Sequence, residues 1–235
     1  MQNTSDTYNA LLAEGAPREV QAIIAGVTYG LDKIDSATTN AALMEKSATV
    51  GNCIAKELNL VLRNPGDIPR MAQIKMRFRL NNGVTQSEWI PKGTFYIDTR
   101  EAGNGVLTID AFDAMLKTGQ PYIMQEGEQG TWPRTDIQVV NAICSRIGVT
   151  LDSRTAAILT EGYLVQYPGF GDVAYTVREV LGYIGAMYGG NWCITDQDTL
   201  RLLILGDLPL SSTNLLITQY GEYILIGGYR ILVSR

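Results

Sequence analysis

Residues 72–113, AQIKMRFRLNNGVTQSEWIPKGTFYIDTREAGNGVLTIDAFD, decide the fold of this chain. At the start of this stretch apolar residues alternate with polar ones, and the polar row contains Lys75, Arg77 and Arg79. A period of two places successive residues on opposite faces of a β-strand. The pattern therefore predicts a strand over 72–80 with one apolar face and one cationic face.

Turn signals divide the rest of this stretch into further strands. Asn81-Asn82-Gly83 and Asn104-Gly105 contain the residue types that tolerate the positive φ angles of tight turns. Between and after these turns the sequence predicts three strands, over 84–90, 93–98 and 106–110. With the strand over 72–80 they form an antiparallel meander.

The segments before residue 72 extend the β-rich pattern. Residues 18–28 and 51–62 predict strands, and the later leucines of the second segment indicate burial on both of its faces. Residues 36–49, SATTNAALMEKSAT, are small and polar, and we interpret them as an irregular connection. A short helix is expected to begin after the N-cap Ser5 and to end before Gly15. Six or seven strands in the first half predict a small barrel or sandwich.

Helix signals begin after the meander. Phe112–Lys117 predicts one or two helical turns. Thr135-x-x-Gln138 and Thr176-x-x-Glu179 match the capping box that begins a helix, and apolar residues at helical spacing follow each box. Gly148 and the pair at 189–190 are suitable ends for these two helices. The second half therefore predicts a helical unit.

Strand-like segments close the chain. Trp192–Thr195 and Leu200–Leu205 flank a polar turn and predict a hairpin. Leu215–Ile217 and Tyr223–Ile226 are two further strand-like segments with little chain left to pair with. We therefore expect residues 206–235 to be the opening of a domain and not a complete one.

Composition and charge narrow the function classes. The 235 residues carry 19 basic and 24 acidic side chains, for a net charge of −5. Tight nucleic-acid binding normally uses a basic excess, so it is not expected here. The N-terminus lacks the pattern of a secretory signal, and no apolar run approaches the ~20 residues that cross a bilayer. We expect synthesis in a cytoplasm and no membrane insertion.

Histidine is absent, which removes many catalytic arrangements. Ser-His-Asp and Cys-His catalysis and histidine-based zinc sites are excluded. The three cysteines, Cys53, Cys144 and Cys193, lie far apart, and we interpret them as buried free thiols. An enzyme with this sequence would depend on carboxylates, Lys, Tyr or Cys.

Carboxylates are the densest candidate catalytic groups. They are Asp98, Glu101, Asp110 and Asp113, and two of them could form a glycosidase-like pair. Carboxylates also cluster at strand ends and turns for structural reasons, which is the interpretation that we favour. We therefore predict no catalytic residue.

Two weaker signals concern ligands. Asp196 and Asp198 could chelate calcium, but the segment lacks the following ligands and the glycine of an EF-hand loop, so a polar hairpin turn is favoured. Gly169-Phe-Gly171 precedes a helix, as in phosphate-binding loops, but the third glycine and the Walker lysine are missing. A loop leading to Thr176 is the simpler interpretation. No metal site and no cofactor are predicted.

Two surface patterns leave alternatives open. The cationic row Lys75, Arg77 and Arg79 could meet an acidic partner or could be a solvated, cross-strand paired face. The aromatic residues of the last helix and hairpin could form a sugar platform or be core residues with polar tips. They are Tyr175, Tyr183, Tyr188 and Trp192.

The order of these segments resembles a known family. Residues 92–117, KGTFYIDTREAGNGVLTIDAFDAMLK, are followed by the helix and hairpin of 176–203, TVREVLGYIGAMYGGNWCITDQDTLRLL, and by YGEYILIGGYRILV at 220–233. This order is similar to that of the N-terminal hub region of phage and prophage tail proteins, namely baseplate hubs and the tail-associated proteins of siphophage tail tips. The resemblance covers most of the chain.

The resemblance implies an α+β fold built mainly from an antiparallel, β-barrel-like tube domain with an α/β helical insertion module. Residues 1–115 would be the first tube domain and 116–205 the insertion. Residues 206–235 would be the opening strands of an incomplete second tube domain. Because most of that second domain is missing, part of the ring interface of such hubs would be absent from this chain.

The resemblance also implies a function. Such proteins are structural and are typically homotrimers that close or extend the tail tube at the tip or baseplate hub of the virion. Their expected partners are a distal tail or tail-tube protein and the tape measure protein, and DNA passes through the lumen without sequence-specific binding. The acidic balance suits such a lumen. No enzymatic residue is carried over; the alternatives are a cell-wall glycan hydrolase and a stand-alone carbohydrate- or protein-binding module.

Overall fold

The computed structural model describes residues 4–41, 49–123, 130–159, 162–167 and 175–205, and the backbone of 225–226 and 229–230. These residues have the predicted α+β fold, with a curled antiparallel sheet beside a smaller group of helices and short strands. The first-half strands are β1 (Arg18–Ile24), β2 (Val27–Tyr29), β3 (Ile34–Asn40), β4 (Cys53–Ile54), β5 (Glu57–Arg63), β6 (Gln73–Leu80), β7 (Ile90–Gly103) and β8 (Val106–Phe112).

The remaining strands are short. They are β9 (Arg134–Thr135), β10 (Thr150–Leu151), β11 (Leu164–Val165), β12 (Gly190–Ile194), β13 (Thr199–Ile204), β14 (Leu225–Ile226) and β15 (Tyr229–Arg230). The α-helices are α1 (Asp6–Ala13), α2 (Asp136–Ile147), α3 (Ser153–Ile158) and α4 (Val177–Met187), and a 3-10 helix spans Ala114–Gly119.

Seven of the first-half strands form one sheet in the order β2-β1-β6-β7-β8-β5-β3, with antiparallel pairing throughout. Within the described residues no pairing joins β2 to β3, so the sheet curls without closing. We call this sheet the half-barrel. Its strand number agrees with the six or seven strands expected from the sequence.

Two-residue turns set the register of the hairpins. Asn104 and Gly105 have φ angles of 52° and 76°, and Gly103 pairs directly with Val106. Positive φ at both central residues matches the right-handed twist of the flanking strands, so this predicted hairpin is confirmed. A similar turn, at residues 25–26, was not predicted and divides the expected strand 18–28 into β1 and β2.

The strand predicted over 84–90 is wrong, and the strand predicted over 93–98 is present as part of a longer one. One long strand, β7, begins only at Ile90, and residues 82–89 form a loop with an isolated bridge from Asn81 to Gln86. The side-chain oxygen of Asn82 accepts hydrogen bonds from the backbone N–H of Val84 and Thr85, at 3.0 and 2.8 Å. These local bonds compete with strand pairing and hold the chain in the turn.

Two further expectations for the first half are corrected. Residues 36–40 belong to strand β3 and not to an irregular connection, because they pair with β5 at the edge of the half-barrel, where small polar residues are tolerated. Residues 51–62 contribute β4 and β5 to two different sheets. Strand β5 is buried on one face only: Leu58, Leu60 and Leu62 are buried, while the residues between them are partly exposed.

The core of the half-barrel is a single apolar cluster on its inner face. Leu60 of β5, Ile74 of β6, Phe95 of β7 and Ile109 of β8 are all inaccessible to solvent. This burial removes apolar surface from water, which is the main stabilising contribution to the sheet. Helix α1 lies at one end of β6, where the ring of Tyr8 is 6.3 Å from that of Phe78.

A second core lies in the helical module, the name that we use for the described residues of 116–205. Helices α2 and α4 pack around a mixed sheet in the order β10-β13-β12-β4. Trp192 of β12 is fully buried there, and its indole Nε1 donates to the carbonyl of Leu181 at 2.6 Å. Strand β4 comes from the first half of the chain, so the two halves share this sheet.

Both predicted capping boxes are confirmed. The hydroxyl of Thr176 accepts from the backbone N–H of Glu179 at 3.2 Å, and the Glu179 carboxylate accepts from the backbone N–H of Thr176 at 2.7 Å. The Gln138 side chain accepts from the backbone N–H of Thr135 in the same way, at 3.0 Å. Gly148 ends α2 in the left-handed conformation, with φ 76°. These contacts pair N–H groups at the start of each helix that have no partner within the helix itself.

Strand β4 approaches α4 through two glycines. A Cβ placed on Gly182 would lie 2.7 Å from the carbonyl oxygen of Gly51, and one placed on Gly51 would lie 2.7 Å from the carbonyl oxygen of Gly182. Neither backbone could keep its place beside a side chain at that distance. The glycine pair therefore allows the chain before β4 to lie against the helix.

The C-terminal part is described only at β14 and β15, which pair antiparallel and overlap the expected strand 223–226. The expected strand 215–217 lies outside the described residues. The division of the chain into units at 1–115, 116–205 and 206–235 remains a prediction.

Candidate functional site

The cationic row on β6 lies on the outer face of the half-barrel, opposite its core. Arg77 and Arg79 place their guanidinium carbons 4.7 and 4.5 Å from the centroid of the Trp89 ring. Arg77 donates to Gln21 at 2.7 Å, and Arg79 donates to Glu19 at 2.7 Å. Arg79 holds the pKa of the Glu19 carboxyl below its ordinary value by hydrogen bonding. This row therefore combines cross-strand pairing with two arginines stacked on an aromatic ring.

The third member of the row, Lys75, is exposed and forms no ion pair with any described residue. Glu19 is the acid that faces the row across the β1–β6 pairing, and it neutralises Arg79. Two cations therefore stay without a carboxylate partner among the described residues. The sequence alone left open whether the row is paired or available. In the structure Arg79 is paired with a carboxylate, whereas Lys75 and Arg77 form no ion pair with a described residue.

The carboxylates considered for catalysis do not form one cluster of available groups. Asp110 accepts from the Asn59 amide at 2.7 Å and from the Thr99 hydroxyl at 3.0 Å, on the outer face of β5, β8 and β7. Asp98 and Glu101 are exposed on β7. Asp113 lies past the end of β8 and is buried.

Asp113 organises the junction between the half-barrel and the helical module. Its carboxylate accepts from the backbone N–H of Lys56 at 2.9 Å and from that of Met115 at 3.0 Å, so it caps the 3-10 helix. Burial raises its pKa to about 6, while those hydrogen bonds and the charges of Lys56 and Arg178 act in the opposite direction. A raised pKa is typical of a general acid, but both oxygens of this group bond to buried backbone. Its geometry indicates a structural role.

The aspartates of the β12–β13 turn join the two parts of the molecule. Asp196 forms an ion pair with Lys56 and a second one with Lys92 at 3.2 Å. Asp198 accepts from the backbone N–H and the hydroxyl of Thr94, both at 2.7 Å. We call these five residues the clasp. The turn predicted here is present, and its carboxylates bind the start of β5 and of β7.

No described group of three or more Cys, Asp and Glu side chains could hold a metal ion. The glycine-rich segment 169–171 lies outside the described residues. Burial raises the pKa of the Cys53 and Cys144 thiols to about 12 and that of Cys193 to about 11. A thiol that stays protonated is a poor nucleophile, so the raised pKa values argue against nucleophilic catalysis by these cysteines.

The four aromatic residues of the last helix and hairpin separate into two groups. Tyr175 and Tyr183 are exposed, with ring centroids 5.5 Å apart, and they border a cleft of about 350 Å³ with Leu164 and Met187. Trp192 belongs to the core of the module, and the Tyr188 hydroxyl donates to the buried Asp136.

A second cleft was not found from the sequence. Arg18 and Lys92 lie 5.7 and 5.2 Å from the ring centroid of Phe78, in a cleft of about 310 Å³ that also involves Tyr8. Arg18 and Phe78 belong to neighbouring strands, and Lys92 belongs to the next one. The register of the three strands brings these residues together, and no local sequence pattern specifies that register.

The described part of the chain contains no helix long and apolar enough to span a bilayer.

The fold is similar to that of a 43 kDa tail protein of prophage MuSo2 from Shewanella oneidensis. The TM-score is 0.50 at 13% sequence identity, over 85% of this chain and 61% of that protein. At this identity the likeness shows a common fold. The resemblance to phage tail proteins inferred from the sequence is thereby confirmed at the level of the fold, and the chain spans less than two thirds of its structural relative.

A second likeness is to a chain of the virion of a native gene transfer agent particle. Its TM-score is 0.34 at 14% identity, over 56% of this chain and 50% of that one. A score of this size does not establish a common fold. No protein-family model matches the chain, and no curated protein sequence matches it.

Proposed function

We propose that this chain is a structural component of a phage or prophage tail, at the tip or baseplate hub, where it closes or extends the tail tube. The observation that carries the proposal is the fold shared with a prophage tail protein over 85% of the chain. Fold alone does not fix function, so other properties of the chain must agree with the proposal. Three of them do.

The first property is the open half-barrel. Its terminal strands, β2 and β3, each pair on one side only among the described residues. Unpaired strand edges are sites of association unless they are covered. A ring of copies, such as the homotrimer that the resemblance implies, would provide neighbours for these edges.

The second property is the state of the chemically reactive groups. Asp113 is buried against backbone donors, Asp110 is held by Asn59 and Thr99, and the cysteine thiols have raised pKa values. These groups stabilise the fold. Their arrangement supports a structural protein more than an enzyme.

The third property is the acidic balance of the chain, with a net charge of −5. In a tail, DNA must move past the tube wall without adhering to it, and an acidic wall repels the phosphate backbone. The proposed partners are a distal tail or tail-tube protein and the tape measure protein, and the proposed location is the virion tail. Residues 1–115 would form the tube wall and 116–205 the insertion.

The test is inactivation of the gene in its phage or prophage, followed by purification of particles. We expect particles without complete tails and a loss of infectivity, both restored by the intact gene. In wild-type particles, labelled antibody should mark the tail tip under the electron microscope. Absence of the protein from purified wild-type tails would overturn the proposal.

A cell-wall glycan hydrolase is the alternative that the phage setting keeps open. This alternative is tested by measuring whether the wild type and the variants Asp98→Asn and Asp110→Asn clear a suspension of purified peptidoglycan. We expect no clearing by any of the three proteins. Clearing that either substitution abolishes would replace the structural proposal by an enzymatic one.

A binding module is the other alternative, and one observation favours it: the exposed pair Tyr175 and Tyr183 beside an apolar cleft. Aromatic rings of this kind can stack on sugar faces. Saturable binding of cell-wall oligosaccharides that Tyr183→Ala removes would support this alternative. We expect binding that does not saturate.

A further inference from the structure

The outer face of the half-barrel carries opposite charges on its two sides. On one side, β6 presents Lys75, Arg77 and Arg79, of which Arg79 is paired with Glu19 of β1. On the other side, β5, β8 and the second half of β7 present carboxylates. They are Glu57, Asp98, Glu101 and Asp110.

Strand register places both groups on the same face. Arg77 is paired with Gln21, next to the core pair formed by Met76 and Ala22. Asp110 is paired with Asn59 and Thr99, next to the core residue Ile109. Because neighbouring residues of a strand point to opposite faces, both charged groups point away from the common core.

The cationic side is organised before any partner arrives. The Trp89 ring holds two guanidinium groups at 4.7 and 4.5 Å, and Gln21 receives two N–H groups of Arg77, at 3.0 and 2.7 Å. Planar guanidinium groups fixed in this way lose little conformational freedom when they bind carboxylates. Lys75 adds an exposed charge without an ion pair to any described residue.

The acidic side has few cations of its own. Arg63, on the same face of β5, is paired with Asp35. Arg100 lies on the core face of β7 and donates to the carbonyl of Ile68 at 2.6 Å. Asp98 and Glu101 are exposed, and neither forms an ion pair with a described residue. Negative charge is therefore available on this side.

We propose that copies of this chain associate head to tail, with the cationic side of one half-barrel (Lys75, Arg77 and Arg79) against the acidic side of the next (Glu57, Asp98, Glu101 and Asp110). Two different surfaces that complement each other form a heterologous contact, which generates a ring when the rotation closes. The inference rests on the proposed tail function and specifies which surfaces meet in the ring.

A second copy fits these surfaces better than other partners do. Both halves of the complementary pair belong to one chain, so a single contact satisfies each of them. Nucleic acid would fit the cationic side alone and would be repelled by the net charge of −5. Because Lys75, Asp98 and Glu101 are exposed, the contact should weaken steeply as salt shortens the ~10 Å screening length of 0.1 M solutions.

The test uses the full chain and measures its absolute mass by light scattering across concentration, at low and high salt. We expect the wild type to approach a multiple of its 25.7 kDa mass at low salt and to dissociate at high salt. Lys75→Glu with Arg77→Glu makes both sides acidic, and Asp98→Lys with Glu101→Lys makes both sides cationic. Each double variant alone should associate at least tenfold more weakly than the wild type.

An equimolar mixture of the two double variants should recover pairwise association of one variant with the other, because each presents the surface that the other needs. A ring of three copies drawn from two variants keeps at least one like-charged contact, so recovery is measured as heterodimers. Glu14→Lys, at the exposed end of α1, is the matched charge reversal outside both sides and should behave as the wild type. Lys75→Glu alone, at an exposed position, keeps the test valid if the change at Arg77 prevents folding. Thermal unfolding checks that each variant is folded.

Three results would overturn this inference: a wild type that stays monomeric at low salt, reversals that leave association unchanged, or a mixture that does not recover it. Preferential binding of a DNA oligonucleotide to the cationic side would also overturn it. Each of these is independent of the location of the protein in tails, so the proposed function could hold while the head-to-tail contact fails.

Discussion

Lys56 and Asp196, 140 positions apart in the sequence, form an ion pair that joins the start of β5 to the β12–β13 turn. The Lys56 side chain is only 13% exposed, and its ammonium also donates to the carbonyl of Lys92 at 3.4 Å. A cation in such a position depends on its carboxylate partner, since little water is available to replace it. The pair is therefore central to the contact between the half-barrel and the helical module.

Asp196→Ala should destabilise the protein by about 1–3 kcal/mol, because it leaves the half-buried Lys56 without its partner. The measurement is the free energy of unfolding from urea titrations. Asp35→Ala is the matched control, since its partner Arg63 is 65% exposed. An exposed pair of this kind contributes at most about 1 kcal/mol. Equal losses in the two variants would contradict a special role of the clasp.

Asp113→Asn should change how stability depends on pH. Burial raises the pKa of Asp113 to about 6 in the folded protein, above its ordinary value of 3.8. The folded state therefore binds this proton more readily than the unfolded state, and the wild type gains stability from it as pH falls from about 7 to about 4. The variant cannot gain it.

The expected result for Asp113→Asn is a stability relative to the wild type that is lower at pH 4.5 than at pH 7.5, by on the order of 1–3 kcal/mol. Urea unfolding of both proteins at the two pH values measures the difference. A difference that does not change with pH would show that Asp113 has similar pKa values in the folded and unfolded states.

Gly182→Ala should destabilise the contact between β4 and α4. The new Cβ would lie 2.7 Å from the Gly51 carbonyl oxygen, so one backbone must move, at a cost of about 1–3 kcal/mol. This loss should exceed the gain in helix propensity of about 1 kcal/mol that alanine brings to α4. Gly103→Ala is the control, because nothing lies within 4 Å of its Cβ position. A more stable Gly182→Ala variant would contradict the close approach.

Trp192→Phe tests whether this tryptophan belongs to the core. The substitution removes the indole donor and leaves the Leu181 carbonyl, 2.6 Å away, without that hydrogen bond. We expect a loss of about 1–4 kcal/mol from the missing bond and the smaller ring. Tyr183→Phe, at an exposed position of α4, should change stability by less than about 0.5 kcal/mol. Similar small effects at both positions would indicate that Trp192 is not a core residue.

Local signals were enough to predict much of this fold. The Asn104-Gly105 turn and the boxes at Thr135 and Thr176 were predicted because each depends on residues within four positions. Strand β3 was missed because only Ile34 and Ala37 of this edge strand pack against the core, and their spacing gives no period of two. The loop after Asn82 was missed because its side-chain bonds to the backbone leave no periodic trace.

The surfaces were harder to predict because they depend on distant pairs. The sequence identified the row Lys75, Arg77 and Arg79 but not the stacking of Trp89 on it, since the loop geometry sets that contact. It identified the turn at Asp196 but not Lys56 as its partner. Strand register and the packing of the module decide both, and neither has a local signature.

The parallel pairing of β4 with β12 has a consequence for biosynthesis. Cys53 and Trp192 are partners in that pairing, and the Asn52 backbone bonds to the Asn191 side chain across 139 positions. A ribosome adds about 5–20 residues per second, so β4 waits on the order of 10–30 s for its partner strand. During this interval the half-barrel strands up to β8 have already been synthesised, while Cys53 and Ile54 still lack β12, the strand with which they pair. The sheet β10-β13-β12-β4 can therefore be completed only after Ile204, the last residue of β13, has been synthesised.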